Sequence, residues 1–227
     1  MRRFLVLRCV QAGIGVGAVI MPVVATARAS AASLAVNQAC FVNKFTKTAI
    51  RQAPMQVTGS GYVPGDSVTI TSSDGSVNTV LAADSSGAIA GTIGAPTPFF
   101  KHPGSRVLVL TATDYSSTQA TITGATPVQV ADLSVDTVPG RASPSRKVTW
   151  SFAGFRPGRY IYGHYLRHGR EVARARFGRA QGDCGLLRVR ARFFPGGHQR
   201  YRTYGLQFDD TRHYSKRSTP RYLGALV

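Results

Sequence analysis

The stretch Gly61-Tyr62-Val63-Pro64-Gly65 occurs twice in this 227-residue chain, because Gly154-Phe155-Arg156-Pro157-Gly158 repeats its glycines, aromatic residue and proline 93 residues later. In both copies, alternating polar and apolar residues precede and follow the stretch. Proline presets φ at about −65° in a turn, and the glycine after it can adopt positive φ without steric cost. Each copy therefore predicts a corner between two strands of a small all-β domain.

The first 32 residues have the layout of a secretory signal peptide. Arg2, Arg3 and Arg8 form a basic start, and an uncharged, mostly apolar run covers residues 10–24. Small residues between 25 and 31 offer several cleavage sites. The alternative, a membrane anchor, needs about 20 apolar residues, and this run is shorter. We therefore predict a protein that is secreted or associated with the cell envelope, with no membrane span after processing.

The rest of the chain is long enough for two domains of similar size. Residues 33–131 are rich in small and hydroxyl side chains and carry five Lys or Arg against four Asp or Glu. Residues 132–227 carry 19 Lys or Arg against six Asp or Glu. Both halves contain short alternating runs separated by turn residues, which is typical of β-strands. We predict an all-β fold of two tandem immunoglobulin-like β-sandwich domains, the first near neutral and the second strongly basic.

The clearest predicted strands of the second half carry its arginines. In residues 147–152, apolar and polar side chains alternate, so that Trp150, the only tryptophan, is expected to point into the core. Arginine alternates with small or apolar residues in 170–177 and again in 187–193. Pairing of these two runs as a hairpin would bring five arginines onto one face: Arg174, Arg176, Arg188, Arg190 and Arg192.

Two explanations of this arginine face remain open. Arginines two residues apart on a strand are separated by about 6.6–6.8 Å and repel each other by roughly 0.6 kcal/mol in water, which a bound anion would relieve. The face would then bind polyanions such as acidic polysaccharide, nucleic acid or phosphate polymers of the envelope. Four tyrosines are possible stacking platforms between the arginines: Tyr160, Tyr162, Tyr201 and Tyr204. Alternatively, the face is only solvated, and its bias towards arginine reflects GC-rich coding.

Cys40 and Cys184 are the two cysteines that remain after residue 32. Export permits a disulfide but does not require one. A bond between them would join the opening strand of the first domain to a loop of the second, and we treat the pair as a candidate disulfide. Neither has a Cys or His two to four residues away, so no metal site is predicted.

No catalytic site is predicted. Asp183-Cys184 with His164 or His168 offers a nucleophile and a base, but a thiol enzyme needs these groups in contact and an oxyanion hole. A loop position between Asp183 and Gly185 suits half of a disulfide better than an activated thiolate. The sequence contains no Gly-rich phosphate loop, no HExxH and no GxSxG, and no cofactor is predicted.

The second half resembles a domain of secreted actinobacterial proteins with immunoglobulin-like folds. The resemblance rests on Trp150 before the second corner, on His164, on residues 178–185, and on Phe208-Asp209 with Arg212-His213-Tyr214. The first half resembles generic bacterial immunoglobulin-like repeats through residues 60–65 and 84–87. Together these similarities cover nearly all of the chain after residue 32. They imply the fold and export, and they imply no activity.

The sequence therefore predicts a secreted, non-enzymatic binding module whose basic second domain binds anionic polymers of the cell envelope or the extracellular space. The alternative is a structural adaptor that binds another protein through its sheet edges. Strongly salt-dependent binding to acidic polymers would favour the first hypothesis. Salt-insensitive capture of one protein partner would favour the second.

Overall fold

Sixteen β-strands and one short 3₁₀ helix make up the described part of the chain. The structure, a computed structural model, describes residues 31–45, 49–115, 121–198 and 203–226, with the backbone only for 225 and 226. The strands of the first half are β1 (Ser33–Val36), β2 (Cys40–Phe45), β3 (Ile50–Arg51), β4 (Pro54–Ser60), β5 (Ser67–Ser72), β6 (Asn78–Ala82), β7 (Ile89–Gly94), β8 (Ser105–Asp114) and β9 (Ile122–Asp132). Those of the second half are β10 (Ser134–Val138), β11 (Lys147–Ala153), β12 (Tyr160–Arg167), β13 (Arg170–Arg179), β14 (Leu187–Arg192), β15 (Tyr204–Asp209) and β16 (Tyr222–Leu226), with the 3₁₀ helix at Pro195–Gly197.

The first half forms a β-sandwich. One sheet has three strands in the order β1–β4–β7, and the other has six in the order β3–β2–β9–β8–β5–β6. Neighbouring strands are antiparallel except β2 and β9, which run parallel. Alternation directs every second side chain of a strand inward. Phe41, Met55, Ile70 and Leu110 are among the buried side chains of this first core.

The second half repeats this plan with fewer strands. Its sheets are β10–β11–β14 and β13–β12–β15–β16, and all neighbours are antiparallel. Strand β11 begins 93 residues after β4, and β12 begins 93 residues after β5. The core is aromatic, and the Trp150 ring centroid lies 5.0 Å from that of Phe177 and 5.6 Å from that of Phe208. The predicted all-β fold of two tandem immunoglobulin-like sandwiches is confirmed, and Trp150 points into the core.

Both copies of the repeated stretch form corners between strands of different sheets. The glycine that ends each copy has positive φ, 81° at Gly65 and 74° at Gly158. The aromatic residue of each copy, Tyr62 or Phe155, is buried. The sequence predicted these corners because proline followed by glycine presets this backbone path.

Each corner is tied to the turn that precedes the third strand of the smaller sheet. The Tyr62 N–H donates to the Gly87 carbonyl (3.1 Å), and the Phe155 N–H donates to the Gly185 carbonyl (3.3 Å). A Cβ atom on Gly87 would overlap the Tyr62 carbonyl oxygen, and a Cβ on Gly185 would overlap that of Phe155. The two sandwiches therefore share this contact between corner and turn as well as their sheet arrangement.

The two sandwiches meet without a linker. Strand β9 ends at Asp132 and β10 begins at Ser134. The intervening Leu133 donates its N–H to the Asn43 carbonyl at the end of the β2–β9 pairing (2.8 Å). A Cβ on Gly154 would lie 2.7 Å from the Cγ1 atom of Val42, so the second corner packs directly against β2.

The predicted hairpin between residues 170–177 and 187–193 is wrong. These runs form β13 and β14, which are edge strands of different sheets. Strand β13 pairs with β12, and β14 pairs with β11. In each strand, only one face carries small or apolar side chains, and that face packs on the core of the second sandwich. Strand β13 covers this core from one sheet and β14 covers it from the other, so the two strands are not neighbours in a sheet. A Gln181–Leu186 bridge closes the loop that carries the chain from one sheet to the other.

Residues 1–30 of the predicted signal peptide lie outside the described residues. Within the described ranges, no helix has the length and apolar character needed to span a membrane.

Candidate functional site

The five predicted arginines are all exposed, but they lie on two surfaces rather than one. Arg188, Arg190 and Arg192 project outward from β14. Arg174 and Arg176 project outward from β13, on the opposite side of the sandwich. The single arginine face of the sequence prediction therefore does not form, because its hairpin does not form.

The β14 surface consists of Arg188, Arg190, Arg192 and Lys147. In the neighbouring strand β11, the residues opposite the three arginines are Ser151, Thr149 and Lys147, respectively. Directly opposite residues have Cβ atoms about 4.5–5.5 Å apart, so Arg192 and Lys147 are close like charges. Within the described ranges, no carboxylate lies within 4.0 Å of these four side chains. The acidic residue of β10 on this sheet, Asp136, lies 3.1 Å from His102 instead.

The Arg–Tyr surface consists of Tyr160, Tyr162, Arg176 and Arg179. The Cζ atoms of Arg179 and Arg176 lie 4.6 Å and 5.0 Å from the Tyr160 ring centroid, within cation–π range. The Tyr160 and Tyr162 ring centroids are 6.4 Å apart. A hydrogen bond with Arg179, and then the charges of Arg179 and Arg176, lower the pKa of Tyr160. In the part of the chain that the structure describes, neither arginine has a carboxylate partner, and Arg179 donates one long bond to the Gly158 carbonyl (3.4 Å).

Arg179 was missed in the sequence because the alternation is interrupted. The register places Tyr160 opposite Arg179 and Tyr162 opposite Arg176, so one residue, Phe177, is extra in β13. Such a β-bulge changes the spacing of outward side chains from two residues to three. The signal was Arg179 itself, because strict alternation continued from Ala173, Ala175 and Phe177 would turn this charged side chain into the core.

Two of the four tyrosines considered as stacking platforms lie on the Arg–Tyr surface, namely Tyr160 and Tyr162. Tyr204 is buried in the second core. Tyr201 lies outside the described residues.

Arg174 belongs to a different cluster. Its Nη1 atom donates to the Arg212 carbonyl, and its Nε atom lies 3.8 Å from Glu171 Oε1. Glu171 in turn lies 3.2 Å from Nδ1 of His164. Arg174 therefore helps to hold the segment after β15 against the sheet, and its donors are partly used.

His164 is fully buried between two carboxylates. Its Nε2 atom lies 3.1 Å from Asp209 Oδ1 and 3.2 Å from the Thr211 carbonyl. Burial alone would lower the pKa of His164, but hydrogen bonds and charges from Asp209 and Glu171 raise it. Two of its three contacts are therefore to carboxylates, and the third is to a backbone carbonyl. Both ring nitrogens are engaged, so this imidazole is not available to a substrate.

Asp209 organises the segment that covers this sheet. Burial would raise its pKa, but hydrogen bonds lower it well below the usual range. The donors are side chains of His164, Ser218, Gln207 and Thr211. Gln207 also donates to the Ser215 carbonyl (2.7 Å). The network thus fixes residues 211–218 on the outer face of β12 and β15.

Cys40 and Cys184 are joined in a disulfide, with Cα atoms 5.3 Å apart. The bond connects β2 of the first sandwich to the loop before β14, and Cys184 is buried. A bonded Cys184 has no thiolate, so it does not act as a nucleophile. Among the described residues there is also no group of three His, Cys, Asp or Glu side chains arranged to hold a metal ion.

No family model matches the sequence, and no curated protein matches it either. Among solved structures, the chain is similar to a tetra-tandem repeat from the extending region of a large adhesion protein, with 15% identity, 83% of this chain and 49% of that chain covered, and a TM-score of 0.27. It is also similar to the periplasmic chaperone SfaE, with 11% identity, 78% and 94% coverage, and a TM-score of 0.27. The chain spans about half the length of the adhesion repeat. Neither similarity carries information about a ligand, and the resemblance to secreted actinobacterial proteins stays a prediction.

Proposed function

We propose that this chain is a secreted, non-enzymatic binding module whose second sandwich binds anionic polymers. The observation that carries the proposal is the placement of Arg176 and Arg179 against the ring of Tyr160 on an exposed sheet, without a carboxylate partner in the described ranges. The ring holds two guanidinium groups in place, so that less side-chain freedom is lost when an anion binds.

The charge of the second half supports the same proposal. Its 19 basic against six acidic side chains produce a positive field that attracts polyanions from a distance. Four of these 19 basic side chains form the β14 surface on the other side of the sandwich. A long polymer that contacts either surface would release counterions, which makes binding depend steeply on salt.

The test is the affinity of the full chain for heparin and for inorganic polyphosphate, measured by calorimetry at two salt concentrations. The double variant Arg176→Gln, Arg179→Gln is expected to bind at least roughly tenfold more weakly, because each charged hydrogen bond is worth about 1.5–3 kcal/mol. The matched control Arg51→Gln, Lys101→Gln removes the same charge from exposed positions of the first sandwich. If both variants lose the same affinity, binding depends only on net charge, and a specific binding surface at Tyr160 is refuted.

The β14 surface is tested in the same assay with Arg188→Gln, Arg190→Gln and Arg192→Gln combined. Among the described residues, these side chains have no aromatic platform, so we expect a smaller loss of affinity than in the double variant. The salt dependence of the triple variant should be shallower than that of the wild type. A triple variant that binds as the wild type does would show that this surface is merely solvated.

A second candidate function is that of an adaptor that binds a protein through sheet edges. It is favoured by exposed apolar side chains on two edge strands, Val80 of β6 (56% exposed) and Leu223 of β16 (60% exposed). Partners that add a strand to a sheet use backbone hydrogen bonds, which are insensitive to salt. Capture of one envelope protein at high salt, abolished by Val80→Lys or Leu223→Lys, would support this function.

A further inference from the structure

Strand β14 has one unpaired edge in the described part of the chain. It pairs with β11 on one side, and no described strand lies on its other side. Phe193, directly after β14, donates its N–H to the carbonyl of Arg146, directly before β11 (2.8 Å). In an antiparallel pair, the backbone groups of successive residues point alternately towards the partner strand and away from it. The backbone N–H and C=O groups of Arg188, Arg190 and Arg192 therefore point away from β11.

The loop that leads into β14 already uses this edge. Leu186 and Gln181 exchange two backbone hydrogen bonds, of 2.8 Å from the Leu186 N–H and 2.7 Å from the Gln181 N–H. Leu186 is an even number of residues from each of the three arginines, so this bridge lies on the same edge as their backbone groups. Beyond the bridge, β13 and β14 diverge into different sheets, and the edge of β14 continues without a partner strand among the described residues.

The sheet that contains β14 is one strand shorter than the sheet on which it packs. The strand orders are β10–β11–β14 and β13–β12–β15–β16, and β10 and β16 line one cavity at the same side of the sandwich. Counted from that side, β14 is the third strand of its sheet, and β13 is the fourth strand of the other. A strand added beside β14 would give both sheets four strands.

The inward side chains at this side of the sandwich are apolar but only half-buried. They pack against the aromatic core, and they are Leu187, Val189 and Ala191 of β14 and Ala173 and Ala175 of β13. Three of these five residues are alanines, whose short side chains cover little of the core beside the free edge. Apolar side chains of an added strand would remove this surface from water, which favours binding.

The outward side chains of β14 select the charge of the added strand. Arg188, Arg190 and Arg192 are exposed, and no carboxylate lies within 4.0 Å of them in the described ranges. Opposite charges at directly opposite positions of neighbouring strands stabilise a sheet, whereas like charges destabilise it. A second copy of β14 would place arginine opposite arginine. The edge therefore suits a strand that has acidic residues at every second position.

We propose that the free edge of β14 binds an extended acidic segment of another protein as an additional antiparallel strand. The acidic side chains pair with Arg188, Arg190 and Arg192 on the outer face, and the apolar side chains between them cover the half-buried residues on the inner face. The backbone of the segment bonds to the backbone of the same three arginines. This inference is independent of polymer binding at the Arg–Tyr surface, and it concerns a different edge from those that carry Val80 and Leu223.

The first test uses synthetic peptides in which glutamate alternates with valine, titrated into the full chain and followed by calorimetry. In the antiparallel pairing, the glutamates lie opposite the arginines, so their N–H groups point to β14 and those of the valines point away. N-methylation of the glutamates is therefore expected to abolish binding, whereas N-methylation of the valines should reduce the affinity far less. A wild-type chain that does not bind the unmethylated peptide would overturn the proposal. A glutamate-methylated peptide that binds no more weakly than the valine-methylated one would do the same.

Two variants of Arg190 test the strand from the side of the protein. Arg190→Pro removes an N–H that points away from β11, so all hydrogen bonds between β11 and β14 remain, and edge strands tolerate such a proline. We expect this variant to lose peptide binding. The matched control Arg190→Gln loses the same charge but keeps the N–H, and its affinity is expected to fall only about threefold. Equal affinities of the two variants would contradict strand addition, and if Arg190→Pro does not show cooperative thermal unfolding, the methylated peptides decide alone.

The same peptide separates this inference from the proposed polymer binding. The double variant Arg176→Gln, Arg179→Gln is expected to bind the alternating peptide as the wild type does, although it loses affinity for heparin. Heparin binding without peptide binding would overturn this inference alone. Peptide binding without heparin binding would overturn only the proposed polymer binding.

Discussion

Among single residues, His164 makes the stability of the second sandwich depend on pH. Its pKa is raised by Asp209 and Glu171 in spite of burial. A histidine whose folded pKa lies above its unfolded value of about 6.5 stabilises the fold fully below that pH, and this contribution is lost as pH rises through the folded pKa. Asp209 has a lowered pKa, so its contribution is present above its unfolded value of 3.8 and is lost as pH falls through the folded pKa. The network therefore contributes most between about pH 4 and 6.5.

We expect His164→Gln to lower the free energy of unfolding by about 3 kcal/mol at pH 6, because it breaks a buried charge network. The difference from wild type should shrink as pH rises above about 6.5. Urea denaturation of both proteins from pH 5 to 9 measures it. Burial raises the pKa of Asp132 to about 6, but this group titrates in both proteins and cancels in the difference. A difference that stays constant with pH would contradict a charged His164.

At the scale of elements, the loop between β13 and β14 depends on one glycine. A Cβ on Gly185 (φ 59°) would overlap the Phe155 carbonyl oxygen, so Gly185→Ala must displace the second corner. Gly182, in the same loop, has φ 63°, but a Cβ there would have no heavy atom within 4 Å, so Gly182→Ala costs about 1–2 kcal/mol for backbone strain alone. We expect Gly185→Ala to cost clearly more, about 3 kcal/mol or above. Thermal unfolding of both variants measures the difference. Equal decreases in Tm would show that the contact between Gly185 and Phe155 does not matter for stability.

The same loop shows what the sequence can and cannot predict about elements. The repeated corners and the strands were predictable, because alternation and proline–glycine turns act locally. The pairing partners of β13 and β14 were not predictable, because they depend on which side of the core each strand covers. Strands β6 and β7 of the first half lie in different sheets as well. The 93-residue repeat relates that pair to β13 and β14, but the sequence does not show that either pair is divided between two sheets.

The candidate surface was predictable only in part for the same reason. Arg176 follows from the alternation, but Arg179 reaches the surface through a bulge, and its position over Tyr160 depends on the register of β12 and β13.

At the scale of the whole molecule, strand β2 connects the two sandwiches. It supplies the Asn43 carbonyl that binds Leu133, the Val42 side chain beside Gly154, and the half-cystine Cys40. Within one compact unit, these three contacts lie on a single strand of the first sandwich. Polymer binding by the second sandwich would therefore pull on the first through β2 as well as through the direct connection from β9 to β10.

The disulfide is expected to be the strongest of these three connections. It closes a sequence separation of 144 residues, which in the chain-entropy model is worth about 5 kcal/mol as an upper value. We expect Cys40→Ala with Cys184→Ala to lower the free energy of unfolding by several kcal/mol, on the order of 3–5. We also expect the two sandwiches, each with its own core, to unfold in separate transitions once the bond is removed, which calorimetry resolves.

Thiol labelling tests the bond itself. In protein that begins after residue 32, and so lacks Cys9, the denatured and unreduced chain should take up no thiol reagent, whereas the reduced chain should take up two equivalents. Two equivalents without reduction would show that the two cysteines are free in this protein. In that case, the double alanine variant would lose stability only through the cavity left by the buried Cys184 side chain. Its loss of unfolding free energy should then be no larger than the loss in Cys184→Ala alone.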